Sequence, residues 1–290
     1  MSFKFKDWKI KTKIFVSFIS LMILFLFVIG QSYLAVVEIN GNKIPLLLAN
    51  EEVNKAMLKM RKDEKDFLMR ESSNPDFFKE GKSPYLDSFK KNYESLNKNI
   101  ILIKENRDIA SNVELIEKLD QIIVDAKLYH DIFLRVVEKV KERGFQDNGL
   151  EGELRNAIHN IERNITQPNH IILMLQARRA EKDYFLRHDL KYVEKFDEII
   201  SDLKLSLQSS GNINEVKFLE EYYEKFNEVV AIEKEIGLKE NEGLNGTYRE
   251  AIHKLEPLIN DMNTSILEMI NKDAAGYCRR RGRLNKKIIS

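Results

Sequence analysis

The sequence predicts an all-α protein: one N-terminal transmembrane helix followed by two stacked four-helix bundles that share long helices. Three observations carry this. No charged residue occurs from Ile14 to Val37. Beyond that run, apolar residues recur at helical spacing, and Gly and Pro fall mostly between the periodic segments. Two stretches of helix-forming sequence each occur twice, the signature of a duplicated unit.

The uncharged run spans about 36 Å as a helix, more than the roughly 30 Å hydrocarbon core of a bilayer. It lacks the small-residue cleavage site of a signal peptide and reads as an uncleaved anchor. Lys4, Lys6, Lys9, Lys11 and Lys13 precede it against one acid, Asp7. This bias predicts a cytoplasmic stub over 1–13, a span over 14–37 and an extracytoplasmic domain over 38–275.

Within that domain a first helix is expected to run to about Arg70, with a kink or brief break between Gly41 and Pro45. Ser72–Pro75 and Gly81–Pro84 punctuate a loop. Leu86, Phe89, Tyr93, Leu96, Ile100 and Ile103 lie at helical spacing and predict a helix over 85–106. Another follows over 112–143. Asp147-Asn148-Gly149 is the strongest turn signal in the chain. A helix of nearly forty residues is expected from about Leu150 to His188, kinked or shortened by Pro168. At roughly 60 Å it outgrows one short bundle, which is the argument for two bundles stacked end to end. A fifth helix covers 190–209. The sixth starts near Ile213 and either runs to about Ala275 or breaks near Gly243. Six passes leave a membrane and return to it.

The first repeat pairs 57–70 (MLKMRKDEKDFLMR) with 174–187 (MLQARRAEKDYFLR). Met57, Leu58, Arg61, Glu64, Lys65, Asp66 and Arg70 recur as Met174, Leu175, Arg178, Glu181, Lys182, Asp183 and Arg187. The second pairs 149–162 with 243–256, identical at eight of fourteen positions.

Lys+Arg 47 nearly balances Asp+Glu 46, so no basic field points to nucleic acid. One cysteine, Cys278, excludes an internal disulfide and a Cys-based zinc site. The five His are scattered without a His-x3-His pair, and no metal site is expected. No Gly-rich phosphate loop or Ser-His-Asp arrangement stands out, so neither an enzyme nor a cofactor is predicted.

Trp8-Lys9-Ile10-Lys11-Thr12-Lys13-Ile14 resembles the opening of many bacterial methyl-accepting chemotaxis receptors. Arg178-Arg179-Ala180-Glu181-Lys182-Asp183-Tyr184, with its twin from Arg61, is similar to the helical bimodular sensor domain of such receptors and of some sensor histidine kinases. The resemblance covers roughly residues 40–275. It implies two stacked four-helix bundles, a homodimer paired through the first helix, a location in the bacterial cytoplasmic membrane and a pocket for small carboxylates such as organic acids of central metabolism. In some kinase members the domain instead docks a binding protein. A structural, ligand-free bundle tethered to the membrane is the other alternative.

Arginine suits a carboxylate because its planar fork donates two parallel hydrogen bonds. Arg61 and Arg178, with Arg179 beside the second, are therefore the candidate ligand residues. If the two copies face each other in one bundle, Arg61 and Arg178 converge around an anion. The plainer reading is ion pairing along one helix, as between Arg178 and Glu181. Glu64, Lys65, Asp66 and their twins read as structural ion pairs. Arg155 with His159, and Arg249 with His253, recur four residues apart and are candidates for a second anion pocket.

From Gly276 the composition turns basic, with Arg279-Arg280-Arg281. A receptor of this class continues as helix into a second membrane span and a signalling region. The tail 276–290 is accordingly read either as a short basic tail or as out-of-frame sequence that truncates the receptor.

Overall fold

The computed structural model describes residues 9–289, with side chains from Lys9 to Lys272. The start of the basic stub and the side chains of the tail, Cys278 included, lie outside the described residues.

Helix α1 (Ile10–Glu38) passes through a wide turn at Ile39–Lys43 into α2 (Ile44–Asp66). The chain thus continues as helix through Gly41 instead of breaking there. None of α1's residues is buried. It is long and apolar enough to cross a membrane, and many of its Phe, Leu, Ile and Val side chains are exposed, an apolar surface of the kind that marks a membrane or partner contact. A second wide turn, Phe67–Glu71, closes α2.

The expected loop before residue 85 holds a short helix, α3 (Pro75–Glu80), begun by the Asn74 side chain accepting from the Asp76 N–H. Then come α4 (Pro84–Glu105) and α5 (Val113–Arg143), capped by Ser83 and Asn112 in the same manner. The remaining helices are α6 (Gly149–Asn164), α7 (Pro168–Arg187), α8 (Lys191–Ser209), α9 (Ile213–Ile236) and α10 (Gly243–Ile289).

The expected forty-residue helix is corrected by this order. It breaks at Ile165–Gln167, and Pro168 stands in the first turn of α7. Proline has no N–H to give and its ring strikes the carbonyl four residues back, so the chain ends one helix and starts another. Near residue 243 the chain takes the second of its two options: α9 stops at Ile236 and α10 begins at Gly243.

The buried side chains form two separate hydrophobic clusters. The first joins α2, α3, α4, α5 and α10, with Phe67, Phe77, Phe89 and Phe133 at its centre. The second joins α6, α7, α8 and α9 around Tyr184, Phe196, Tyr222 and Phe226. Both halves of the broken segment, α6 and α7, therefore serve one core. α9 reaches across, placing Ile232 and Ile236 in the first cluster, and Leu150 at the start of α6 packs against both.

The two turns that carry the chain between cores are built alike. Gly149 opens α6 and Gly243 opens α10, both in the left-handed region, at φ +65° and +55°. A Cβ on Gly149 would lie 2.6 Å from the Gly144 Cα, and one on Gly243 2.5 Å from the Glu235 carbonyl oxygen. Only glycine fits either position without moving backbone.

Candidate functional site

Each copy of the first repeat supplies a buried glutamate. Glu64 on α2 accepts a 2.6 Å hydrogen bond from the Tyr129 hydroxyl on α5. Glu181 on α7 accepts a 2.5 Å bond from Tyr222 on α9. Burial pushes both carboxyls up from the usual range, and the adjacent tyrosine and arginine pull them back only in part. Burial also pushes both tyrosine hydroxyls well up, so they stay protonated donors.

The arginine one turn earlier completes each cluster, in two different ways. Arg178 Nη1 lies 2.8 and 2.9 Å from the two Glu181 oxygens, and its Nε lies 3.3 Å from Glu162 on α6. Arg61 lies 3.9 Å from Glu64 and gives its strong bond, at 2.5 Å, to Glu256 on α10. Glu162 and Glu256 are the matching last residues of the second repeat. So α7 meets α6 through the same pair of types by which α2 meets α10.

The convergence expected of Arg61 and Arg178 is not what the structure has. The two arginines belong to different cores, because α2 packs with α4, α5 and α10 while α7 packs with α6, α8 and α9. Each already faces carboxylates of its own core. Arg179 is 85 % exposed, with Asp183 at 4.0 Å. Asp66–Arg70 and Asp183–Arg187 pair along their helices, as expected of structural ion pairs.

The structure instead brings residues of the two repeats together in one cleft. It holds about 400 Å³ between α6 and α7, with Arg155, His159, Arg178, Lys182, Glu151 and Glu181 as its polar lining. Leu154, Ile158 and Phe185 supply the apolar wall. Arg178 and Glu181 satisfy each other at its base. Glu151 is held up by burial and lies 3.5 Å from Arg143 outside the cleft. Arg155 has only the exposed Asp147, at 3.3 Å. His159 sits 3.4 Å from Glu162. Lys182 lines the cleft with no carboxylate in ion-pair range among the described residues. The spare hydrogen-bonding capacity is thus cationic, and it lies on the solvent side.

Arg249 and His253 lie elsewhere, on α10. Arg249 pairs with Glu240 at 2.6 Å, and His253 is exposed. A smaller hollow of about 190 Å³ between α8 and α9 is lined by Asp197, Ser201 and Tyr223, and by Lys204 and Glu220, which pair at 2.7 Å. Among the described residues no group of three or more His, Cys, Asp or Glu is placed to hold a metal ion.

Sequence reasoning missed Lys182 as a cleft residue, reading it as part of a structural ion pair, and gave no partner for Glu181 on α9, where Tyr222 stands. The available signal was the repeats themselves, since nine of the ten lining residues fall within 149–162 or 174–187.

No family model matches the chain, and no curated protein or solved structure does either.

Proposed function

We propose that the protein is a membrane-anchored sensor domain that binds a small carboxylate in the cleft between α6 and α7. In this reading the two cores are two four-helix bundles stacked end to end, α1 is the anchor, and the domain beyond Glu38 lies outside the cytoplasm. The observation that carries it is the meeting of Arg155, His159, Arg178 and Lys182 in a cleft with an apolar wall. A carboxylate placed there would take charge-assisted hydrogen bonds from Lys182 and Arg155. Its aliphatic part would lie against Leu154, Ile158 and Phe185. Arg178 would shape the floor rather than bind first, because its Nη1 is taken by Glu181 and its Nε faces Glu162. The resemblance to chemotaxis receptors and sensor kinases places such a domain at the input end of a signalling chain.

One observation favours the structural reading as a second choice. Arg61 and Arg178, the arginines best suited to an anion, are both neutralised from within. A purely structural bundle needs nothing more of them.

A thermal-shift screen of the full chain in detergent micelles, against mono- and dicarboxylates, separates the two. Ligand at about a hundred times its Kd stabilises by about 2.7 kcal/mol, enough to raise Tm by several degrees. A flat response to every acid would leave the structural reading standing. Orientation is checked by a reporter fused after Ala275, expected to work only if it is active outside the cytoplasm.

A further inference from the structure

The cleft between α6 and α7 has a counterpart in the other core, in which six of the nine lining positions that fall in the repeats are identical and Glu151, Leu154 and Phe185 are replaced by Asn245, Tyr248 and Leu68. Through the two repeats, Arg155, Ile158, His159, Arg178, Glu181 and Lys182 correspond to Arg249, Ile252, His253, Arg61, Glu64 and Lys65, identical at all six positions. The counterpart is also assembled. The Arg61–Glu256 pair sets α10 on α2 as Arg178–Glu162 sets α6 on α7. Tyr129 holds Glu64 as Tyr222 holds Glu181.

One substitution fills the space. Where the open cleft has Leu154, the other core has Tyr248. Its side chain is buried at 4 % exposure, with its ring against Phe133. Burial pushes its hydroxyl up, with the charge of Glu64 acting in the same direction and Arg249 and Arg61 against it. Tyr248 thus puts a buried ring where the open cleft has the smaller Leu154, while Lys65 and His253 stay exposed and Arg249 pairs with Glu240. Leu68 in place of Phe185 removes bulk from the other wall, where no charged group needs a partner.

We propose that α2 and α10 form a second carboxylate cleft that the Tyr248 side chain keeps closed, so that the residue at this position decides whether each core binds. The closed cleft itself stands on the geometry, while its carboxylate chemistry rests on the function proposed above.

The test is calorimetric titration of the full chain in micelles with acetate and succinate as probes. Wild type should bind one equivalent, Tyr248→Leu two, Leu154→Tyr none, and the double exchange one. Tyr248→Phe, which keeps the ring, should stay at one. One equivalent in a folded Tyr248→Leu, or retained binding in a folded Leu154→Tyr, would overturn the proposal while leaving the first cleft intact. If wild type binds neither probe, the carboxylate reading of the first cleft fails, and a crystal structure of Tyr248→Leu then decides the second. An open cleft between α2 and α10 supports it; a collapsed one overturns it. Should Tyr248→Leu not fold, loss of binding in Leu154→Tyr carries the test.

Discussion

The two halves of this molecule use the same residues to different ends. In each, a buried glutamate on the first-repeat helix takes a hydroxyl from a tyrosine on a later helix of the same core, α5 in one and α9 in the other. In the α6–α9 core the arginine's Nη1 donates to both oxygens of that glutamate. In the α2–α5 core it leaves its glutamate at 3.9 Å and reaches across to α10. The four repeat segments run α2, α6, α7, α10 along the chain, yet they pair as α2 with α10 and α6 with α7. The pairing is nested, so each core mixes the two duplicated units. The difference teaches that the interior of the unit is held fixed by the need to satisfy a buried carboxylate. Its solvent side is free to diverge, into an open cleft in one half and a filled one in the other.

The largest asymmetry should appear on removing the arginines. Arg178→Ala leaves Glu181 buried with only Tyr222, and should cost about 2–3 kcal/mol, below the full value for a wholly buried pair because Arg178 keeps some exposure. Arg61→Ala takes less from its buried glutamate and loses its close bond to the half-exposed Glu256, so about 1 kcal/mol is expected. Urea denaturation of both variants measures this, and equal losses would erase the distinction between the halves.

The turn glycines should instead behave alike. Gly149→Ala and Gly243→Ala each force a Cβ onto backbone at positive φ, and each should cost about 1–2 kcal/mol. Gly211→Ala, at φ +72° with open space around it, should cost less than either. The same denaturation series reports all three.

A smaller contrast is expected at the tyrosines. Tyr129→Phe should cost about 1.5 kcal/mol and Tyr222→Phe about 1 kcal/mol, because Glu181 retains its arginine and Glu64 does not retain one closely. A greater loss at Tyr222 would reverse the account of which glutamate is better held.

The pH dependence sharpens the comparison least but tests both halves at once. Burial holds the Glu64 and Glu181 carboxyls above the ordinary glutamate value of 4.5. The folded chain therefore binds more protons than the unfolded chain does. Their contribution is fully present below that value and is lost as pH rises through the folded pKa. Glu64→Gln and Glu181→Gln should each flatten the fall in stability above pH 4.5 relative to wild type. A slope unchanged by either substitution would mean that burial does not govern these carboxyls.

Much of this was legible beforehand, and the failures have physical causes. The apolar run of α1, the helical spacing of Leu86 to Ile103 and the turn at Asn148-Gly149 are local signals, and each led to the right element. Pro168 was recognised as a disturbance, but whether it bends a helix or ends one depends on whether neighbours support the freed backbone, and that is tertiary. The repeats were found, while their nested pairing was not, because sequence similarity says which segments are alike and not which ones touch. That is why Arg61 and Arg178 were expected together. Arg155 and His159 were picked from their recurrence, and only the packing of α6 on α7 put Arg178 and Lys182 beside them.

The most direct test of the cleft compares paired variants by calorimetry against whichever acid raises Tm in the screen. Arg155→Ala/Lys182→Ala removes its two solvent-side cations, and Arg249→Ala/Lys65→Ala removes their counterparts in the other core. Losing two charge-assisted contacts should weaken binding at least tenfold in the first variant, with affinity unchanged in the second. Wild-type affinity in the first, or an equal loss in both, would contradict the assignment of the ligand to the cleft between α6 and α7.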